Sequence, residues 1–267
     1  MDGSRSKVAA GFLYPLSMSK NDNKSLSAAK VAKNDEFYTQ LSDIEKELKH
    51  YKDHFRGKVI LCNCDDPYES NFFKYFCLNF KQLGIKKLIA TCYGTSPVAG
   101  QQLSLFDVPY LGTQEKKKAY KAVITDIPDS NNDGAIDMFD VESLLKYSNN
   151  VITLLEGNGD FRSKECVALL QEADIAVTNV PFSLFREYIA LMEKYSKKYL
   201  IVGNKNAVTY KEVFPLLKNN KIWIGCRPMN ADFWLMVPED NPYEKIINGI
   251  HYKHIMACWF TNLDHEK

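Results

Sequence analysis

The short apolar run KVILCNC, residues 58–64, is the stretch that decides the fold. A run of this length with almost no polar alternation is typical of a strand buried on both faces, as in a parallel sheet. One helical pattern precedes this run. It begins at Asp43, which is placed to cap it, and ends at Gly57, while a second helical pattern covers residues 70–84. The stretch therefore predicts a strand between two helices, the repeating unit of an α/β fold.

The same alternation continues along the chain. Further strands are predicted at residues 86–93, 119–125, 174–179, 197–204 and 221–226, with a strand or loop at 150–157. Helices are predicted at residues 141–147, 163–173, 183–195 and 209–220. This order predicts a mostly parallel sheet with helices on both faces. Beyond it, residues 227–240 and 253–264 resemble antiparallel strands, which predicts an antiparallel edge or the start of a smaller subdomain.

The composition is that of an ordinary globular protein, with 267 residues, 45% hydrophobic and 25% charged. No apolar run approaches the ~20 residues that span a bilayer, and the first residues lack the pattern of a secretory signal. The seven scattered cysteines predict reduced thiols and a cytoplasmic location rather than a disulfide framework. The net charge of +1 means that any nucleic-acid binding must use a local basic face. One such face is the basic arm of a flexible extension predicted at residues 1–33, with Lys20, Lys24, Lys30 and Lys33.

Four polar stretches follow predicted strands, at residues 63–70, 93–97, 158–162 and 179–182. Parallel strands end at one edge of the sheet, and ligands of such sheets bind beyond that edge. We therefore expect these four stretches to form one site.

The last stretch, Asn179-Val180-Pro181-Phe182, suits the methylation of an exocyclic amine. The Asn179 side chain and the carbonyl of residue 180 offer two acceptors for the two N–H groups, and Phe182 offers a face for a base taken out of its helix. Catalysis of this kind needs positioning and electrostatics, without a metal or a covalent intermediate. A strand that simply ends in a turn is the alternative that these four residues leave open.

Three other segments precede this motif along the chain, in the order NDEFYTQ at 34–40, CNCDDPYESNFFKYF at 62–76 and GDFRS at 159–163. With VTNVPF, NKNAVTYKEVFPLLK and KIWIG, they resemble the EcoRI-type adenine-specific DNA methyltransferases from about residue 30 to the C-terminus. The resemblance implies a Rossmann-like methyltransferase domain at 34–267, S-adenosylmethionine as donor and the N6 amine of adenine in double-stranded DNA as acceptor. It also implies a possible cognate restriction endonuclease and leaves the oligomeric state open.

Carried over by residue, the resemblance implies two groups of site residues. The catalytic group is Asn179, Val180, Pro181 and Phe182. The cofactor-binding group is Phe37, Tyr38, Thr39, Asn63, Asp65, Asp66, Pro67, Asp160, Phe161 and Asn179, with the Asp160 carboxylate and the Phe161 ring at the cofactor adenine.

Two departures from the family pattern carry expectations of their own. Val180 stands where the family has its first proline, so the carbonyl is kept while the fixed φ of a ring is lost, and we expect a weakened site. Members of the family also continue past the position of Lys267, so we expect the target-recognition part to be short or missing and cofactor binding to be retained. These departures leave open a weakened or inactive DNA- or cofactor-binding relative. Methylation of RNA or of a protein amide is the other alternative.

One acidic segment fits the template of a calcium-binding loop. Its oxygen-bearing residues are Asp129, Asn131, Asp133, Asp137 and Asp140. A strand pattern stands where the entering helix of such a loop belongs, and the alternative is an Asp/Asn-rich turn with a helix cap. The sequence favours the turn and predicts no metal elsewhere.

Overall fold

The computed structural model describes residues 39–64, 66–68, 70–93, 119–147, 151–231, 233–237 and 242–265. The expected extension at 1–33 lies outside these ranges. The strands are β1 Val59–Asn63, β2 Lys87–Thr91, β3 Tyr120–Ile124, β4 Ile152–Leu154, β5 Ile175–Asn179, β6 Lys198–Asn204, β7 Trp223–Ile224, β8 Trp234–Met236, β9 Lys245–Ile247, β10 Ile250–His254 and β11 Ala257–Thr261. The helices are α1 Leu41–Leu48, α2 Lys52–Phe55, α3 Asn71–Leu78, α4 Phe80–Leu83, α5 Met138–Tyr147, α6 Lys164–Glu172, α7 Phe185–Lys194 and α8 Phe214–Lys218. None of the helices in the described ranges combines the length and the apolar character that crossing a membrane requires.

The strands form one large sheet in the order β4-β3-β2-β1-β5-β6-β11-β7. Its four central strands, β2, β1, β5 and β6, are parallel, which confirms the predicted α/β fold. The last strand, β11, is antiparallel to both β6 and β7, which confirms the predicted antiparallel C-terminal edge. Strand β3 also runs antiparallel to β2, a reversal that the strand–helix alternation did not indicate.

The alternation of side chains along the strands divides the core into two layers. Ile60 and Cys62 of β1 face the layer that α1 to α5 cover, whereas Val59 and Leu61 face the layer that α6 to α8 cover. All five residues of β1 are buried, as the continuous apolar run predicted. The sheet therefore has helices on both faces, as expected of a Rossmann-like fold.

Two helix starts differ from the predictions, one because of a distant contact and one because of the local sequence. Asp43 does not cap the first helix, which begins at Leu41; Asp43 is buried instead and pairs with Arg227 at 2.9 Å. The helix predicted at 209–220 is reduced to α8, whose first turn contains Pro215 and which lacks a side-chain cap.

The segment beyond Cys226 forms both an antiparallel edge of the main sheet and a separate small sheet, the two arrangements that the sequence left open. Strand β11 joins the main sheet, while β8, β10 and β9 form a separate three-stranded sheet. The polar joining segment contains the β9–β10 hairpin, whose turn residues Asn248 and Gly249 have φ of 50° and 79°. Asn-Gly with positive φ at both positions is the preferred two-residue hairpin turn. The strand predicted at 253–264 is consequently divided, because its first residues belong to the end of β10 and its later residues form β11.

Candidate active site at the carboxyl edge of the sheet

The site lies where the order of the strands reverses. From β1 the chain adds β2 and β3 on one side and β5 and β6 on the other, so the reversal falls between β1 and β5. The β1–β5 pairing ends at Leu61 and Ala176, whereas the β1–β2 pairing continues to Asn63 and the β5–β6 pairing to Asn179. The backbone pairing of these two strands thus stops before their carboxyl ends, and ligands of open α/β sheets bind in the crevice outside such ends.

The predicted catalytic residues line this edge. Asn179 is the last residue of β5 and is half-buried. Val180 is 1% exposed and packs in the α6–α8 layer, whereas Phe182 is 8% exposed and packs in the α1–α5 layer. Pro181 between them is extended, with φ of −50° and ψ of 126°. The motif therefore crosses the end of the sheet, with one apolar side chain anchored on each face.

The end of β1 is tied to the catalytic strand by side chains. The Thr178 hydroxyl donates a hydrogen bond to the Asn63 carbonyl oxygen. The Tyr188 hydroxyl donates to Asn63 Oδ1 at 2.5 Å. Asn63 is 1% exposed, and its Nδ2 group has no hydrogen-bond partner in the part of the chain that the structure describes. The predicted cofactor residue Asn63 therefore touches the strand that carries Asn179.

The loop after β1 is held by a half-buried carboxylate. Asp66 accepts hydrogen bonds from the Tyr120 hydroxyl at 2.7 Å and from the Tyr68 N–H at 2.9 Å. Pro67 is buried, and Ser70 caps α3 by accepting from the N–H groups of its first turn. Asp65 lies outside the described residues. The loop is therefore fixed at both ends, by β1 and by the start of α3.

Burial raises the pKa of the Asp66 carboxyl, and the two hydrogen bonds offset only part of that rise. Because the folded-state pKa lies above the unfolded value, the folded protein binds this proton more tightly. The free energy of unfolding should therefore decrease as the pH rises through the folded-state pKa. We expect Asp66→Asn to weaken this dependence, measured by urea unfolding from about pH 4 to about pH 7. An identical pH dependence in both proteins would contradict this assignment.

Of the predicted N-terminal cofactor motif, the structure describes only Thr39, since Phe37 and Tyr38 lie outside the described residues. Thr39 is 3% exposed, and its carbonyl oxygen accepts from Asn71 Nδ2 at 2.8 Å. None of the described residues forms a hydrogen bond with its Oγ1 atom. Asn71 is the first residue of α3, so Thr39 lies beside the loop that contains Asp66.

The loop after β4 approaches the same edge. Gly159 has φ of +79°, and a Cβ there would clash with the Cys92 carbonyl oxygen and lie 3.0 Å from Ala119 Cβ. Asn158 Nδ2 donates to the Tyr93 hydroxyl at 3.1 Å, which joins two of the four polar stretches. Residues 94–97 of the second stretch lie outside the described ranges.

Asp160 and Phe161 are more engaged than the sequence indicated. Both Asp160 carboxylate oxygens accept from the Arg162 guanidinium, at 2.8 and 2.5 Å. The Phe161 ring is 4% exposed and packs edge-on against Tyr188, with 5.2 Å between centroids. Phe161 is thus part of the core beneath the loop, and its place at a cofactor ring stays a prediction.

Residues 25–267 match the family described as "Adenine-specific methyltransferase EcoRI". The chain belongs to this family. It is 42% identical over 253 residues to the Type II methyltransferase M.EcoRI of Escherichia coli, with 91% of the chain and 69% of the relative aligned. It is 34% identical to M.MpnI of Mycoplasma pneumoniae and 35% identical to M.MgeORF184P of Mycoplasma genitalium, also Type II methyltransferases. The chain spans 63% of the length of each of these two relatives.

The family assignment confirms the resemblance seen in the motifs: by family, the protein is an adenine-specific DNA methyltransferase of the restriction–modification type. No solved structure shows a significant match to it.

The methyltransferase needs a methyl donor, and the carboxyl edge offers groups that could hold one. Three buried polar atoms near this edge have no hydrogen-bond partner within the described ranges, namely Thr39 Oγ1, Asn63 Nδ2 and Thr91 Oγ1. Thr91 ends β2 and pairs with Asn63. Buried polar groups without partners are uncommon in folded proteins. A polar ligand across the ends of β1 and β2 would supply the missing partners. These residues therefore fit a methyl donor that carries both hydrogen-bond donors and hydrogen-bond acceptors.

The acidic loop of the methyltransferase satisfies its carboxylates within itself. Asp129 accepts from the Gly134 N–H at 2.8 Å, and Asp133 accepts from the Ala135 N–H at 2.9 Å. Asp137 and Asp140 accept from each other's backbone N–H, at 3.4 and 3.0 Å, in a capping box at the start of α5.

Asn131 donates to Asp133 in the same loop. The N–H groups of Asp137 and Ser130 lower the pKa of the Asp140 carboxyl. Among the described residues there is no cluster of three or more metal-ligating side chains. The geometry is that of the turn with a helix cap.

Sequence reasoning missed two buried groups of this methyltransferase. Tyr188 faces the site from the middle of α7, and nothing in the helical pattern separates it from an ordinary core aromatic residue. Glu47 is 0% exposed and accepts from the N–H groups of Cys226 and Arg227, at 2.6 and 2.8 Å. The sequence did indicate that Glu47 is buried, because this glutamate lies on the apolar face of α1, next to Ile44 and Leu48.

Proposed function

We propose that this chain transfers a methyl group from S-adenosylmethionine to the N6 amine of an adenine in double-stranded DNA. The observation that carries the proposal is the position of Asn179 and Val180 at the mouth of the β1–β5 crevice. The family supports adenine in DNA as the target. The identity of the methyl donor, the N6 atom as acceptor and the roles of the residues are what we propose.

In this account Asn179 and Val180 hold the reacting amine. The Asn179 side-chain oxygen and the Val180 carbonyl oxygen accept the two N–H groups, which draws electron density toward nitrogen and orients its lone pair. The bound donor supplies an electrophilic methyl group on sulfur. The methyl group would pass to nitrogen with loss of its bond to sulfur, and the Asn179 and Val180 oxygens would hold the amine until its displaced proton leaves to solvent.

Phe182 is proposed to stack on the extruded adenine. A base that has left the helix is held by stacking as well as by hydrogen bonds to its edge. The ring is buried against the α1–α5 layer, so stacking on a base would replace part of these core contacts. Pro181 keeps the chain extended between the acceptor carbonyl and this ring.

The cofactor-binding role is assigned to the residues that the resemblance implied. Thr39, Asn63, Asp66 and Pro67 surround the ends of β1 and α3, which supports this part of the proposal. Asp160 and Phe161 are placed in the third loop at the same edge. Phe37, Tyr38, Asp65 and Asn179 complete the set.

Val180→Pro tests the role of the backbone carbonyl. Proline keeps this carbonyl and fixes φ. The restricted backbone lowers the conformational free-energy cost of ordering the motif by about 0.5–1 kcal/mol. We expect transfer by the variant to be at least equal to that of the unmodified chain, with kcat as the measurement. Markedly lower kcat in a folded variant would contradict the account, because it would mean that the valine itself is required.

The proposed partner is double-stranded DNA, together with a cognate restriction endonuclease of the same system. A DNA substrate and seven cysteines outside any disulfide bond support a cytoplasmic location.

The proposal is tested by incubating the chain with methyl-labelled S-adenosylmethionine and, separately, with mixed-sequence duplex DNA, RNA or protein. We expect label in the DNA. Label in RNA or protein alone would overturn the assignment of the substrate. Binding of the cofactor without transfer to any of the three would identify an inactive relative.

A further inference from the structure

Tyr188 lies at a junction between two of the predicted cofactor segments. It is 0% exposed in the middle of α7. Its hydroxyl donates to Asn63 Oδ1 at 2.5 Å, at the end of β1. Its ring packs on Phe161 in the loop after β4, with an angle of 65° between the ring planes. One side chain thus contacts both the first and the third polar loop.

The same junction extends to the catalytic strand. The backbone pairing of β1 with β5 stops before Asn63 and Thr178. Beyond that point the Thr178 hydroxyl, bonded to the Asn63 carbonyl oxygen, links the two strands. Thr178 directly precedes Asn179 in the sequence. Asn63 is therefore connected by one hydrogen bond to the catalytic strand and by another to α7.

These bonds leave one part of Asn63 unused. Tyr188 occupies the side-chain oxygen, while the Nδ2 group, with two N–H donors, is buried and finds no acceptor among the described residues. A buried donor without an acceptor destabilises the folded protein, whereas a ligand that supplies the acceptor removes this cost. The position of Asn63 at the mouth of the crevice makes a bound ligand the natural source of that acceptor.

We propose that Tyr188 is a positioning residue, which holds the Asn63 amide so that its Nδ2 group donates to an acceptor on the bound methyl donor. The inference rests on the proposed function, since it takes the methyl donor as the ligand of the crevice. Tyr188 acts through Asn63 and does not itself touch the ligand.

Tyr188→Phe is the first test, because it keeps the ring against Phe161 and removes only the hydroxyl. The probe is S-adenosylhomocysteine, titrated by calorimetry against the whole chain. We expect about 3–10-fold weaker binding, the effect of one neutral hydrogen bond. The KM for S-adenosylmethionine should rise by a similar factor, with a smaller change in kcat.

Tyr199→Phe is the matched control. Tyr199 is also 0% exposed, but it is near the amino end of β6, and its hydroxyl bonds Glu193 Oε1 at 3.5 Å. Its removal should leave the affinity for the probe unchanged. Equal affinities in the two variants would overturn the role of Tyr188. Failure of the unmodified chain to bind the probe would instead overturn the proposed function, and this inference with it.

A double-mutant cycle separates positioning from general loosening of the core. Asn63→Ala should weaken binding about tenfold, and adding Tyr188→Phe should then weaken it no further, because Tyr188 acts through the deleted side chain. Additive losses would overturn the proposal. Thermal unfolding checks the fold of every variant, and Asn63→Ser takes the place of Asn63→Ala where the alanine variant unfolds.

Discussion

Replacing Asn179 by alanine is expected to reduce methyl transfer to duplex DNA by about 10²–10³-fold, the usual cost of deleting one group that stabilises a transition state. The side chain is proposed to accept one N–H of the target amine, so its loss leaves the amine held only by the Val180 carbonyl. The loss should appear mainly in kcat, because the acceptor acts on charge that develops during transfer. Single-turnover transfer of labelled methyl groups at saturating donor measures it.

Asn204→Ala is the matched control for this experiment. Asn204 occupies the corresponding end of the neighbouring strand β6, and its Oδ1 accepts from the Asn206 N–H at 2.9 Å as the cap of the short 3-10 helix Lys205–Thr209. The control variant should lose stability by about 0.5–2 kcal/mol and keep its rate of transfer. Transfer by a folded Asn179→Ala variant within about threefold of the unmodified rate, a difference of less than 1 kcal/mol, would contradict the catalytic role of Asn179.

Gly159→Ala is expected to disrupt the third loop of the site for two separate reasons. Its φ of +79° is unfavourable for any residue with a Cβ, at a cost of about 1–2 kcal/mol. The added methyl group would also clash with the backbone carbonyl of Cys92, which cannot move away as a flexible side chain could. The loop must therefore shift, and Asp160 and Phe161 shift with it. We expect affinity for S-adenosylhomocysteine to fall about tenfold or more, which corresponds to at least about 1.4 kcal/mol.

Gly157→Ala provides the comparison within the same loop. No atom of the described residues lies within 4 Å of a Cβ built at Gly157, so the substitution should be neutral for both binding and stability. Titration calorimetry and thermal unfolding of the two variants give the result. Wild-type affinity in Gly159→Ala, or an equal loss in Gly157→Ala, would show that the close approach to Cys92 does not shape the site.

The main strands and the position of the site could be predicted because both depend on local patterns. Continuous apolar runs identified β1, β5 and β6, and the polar residues that follow β1 and β5 lie at one edge of the sheet. Ser70 and Ser163 cap the helices that the sequence predicted there. The parallel order of the strands then brings together loops that are far apart in the sequence.

The remaining features depend on contacts that no local pattern encodes. The direction of β3 is set by its pairing with β2 across a long intervening segment. Asp43 has the composition of a cap, but its partner Arg227 lies near the other end of the chain. Phe161 looked like a ring available to a ligand, and only tertiary packing shows that Tyr188 covers it. The Tyr188–Asn63 bond was invisible for the same reason.

The most direct measurement of the central claim is the identity of the methylated base. Duplex DNA is incubated with the chain and methyl-labelled S-adenosylmethionine, digested to nucleosides, and separated by chromatography with mass detection. The account predicts that the label is found in N6-methyladenine and is lost in Asn179→Ala. Label in a methylated cytosine, or labelled N6-methyladenine produced equally by Asn179→Ala, would contradict it.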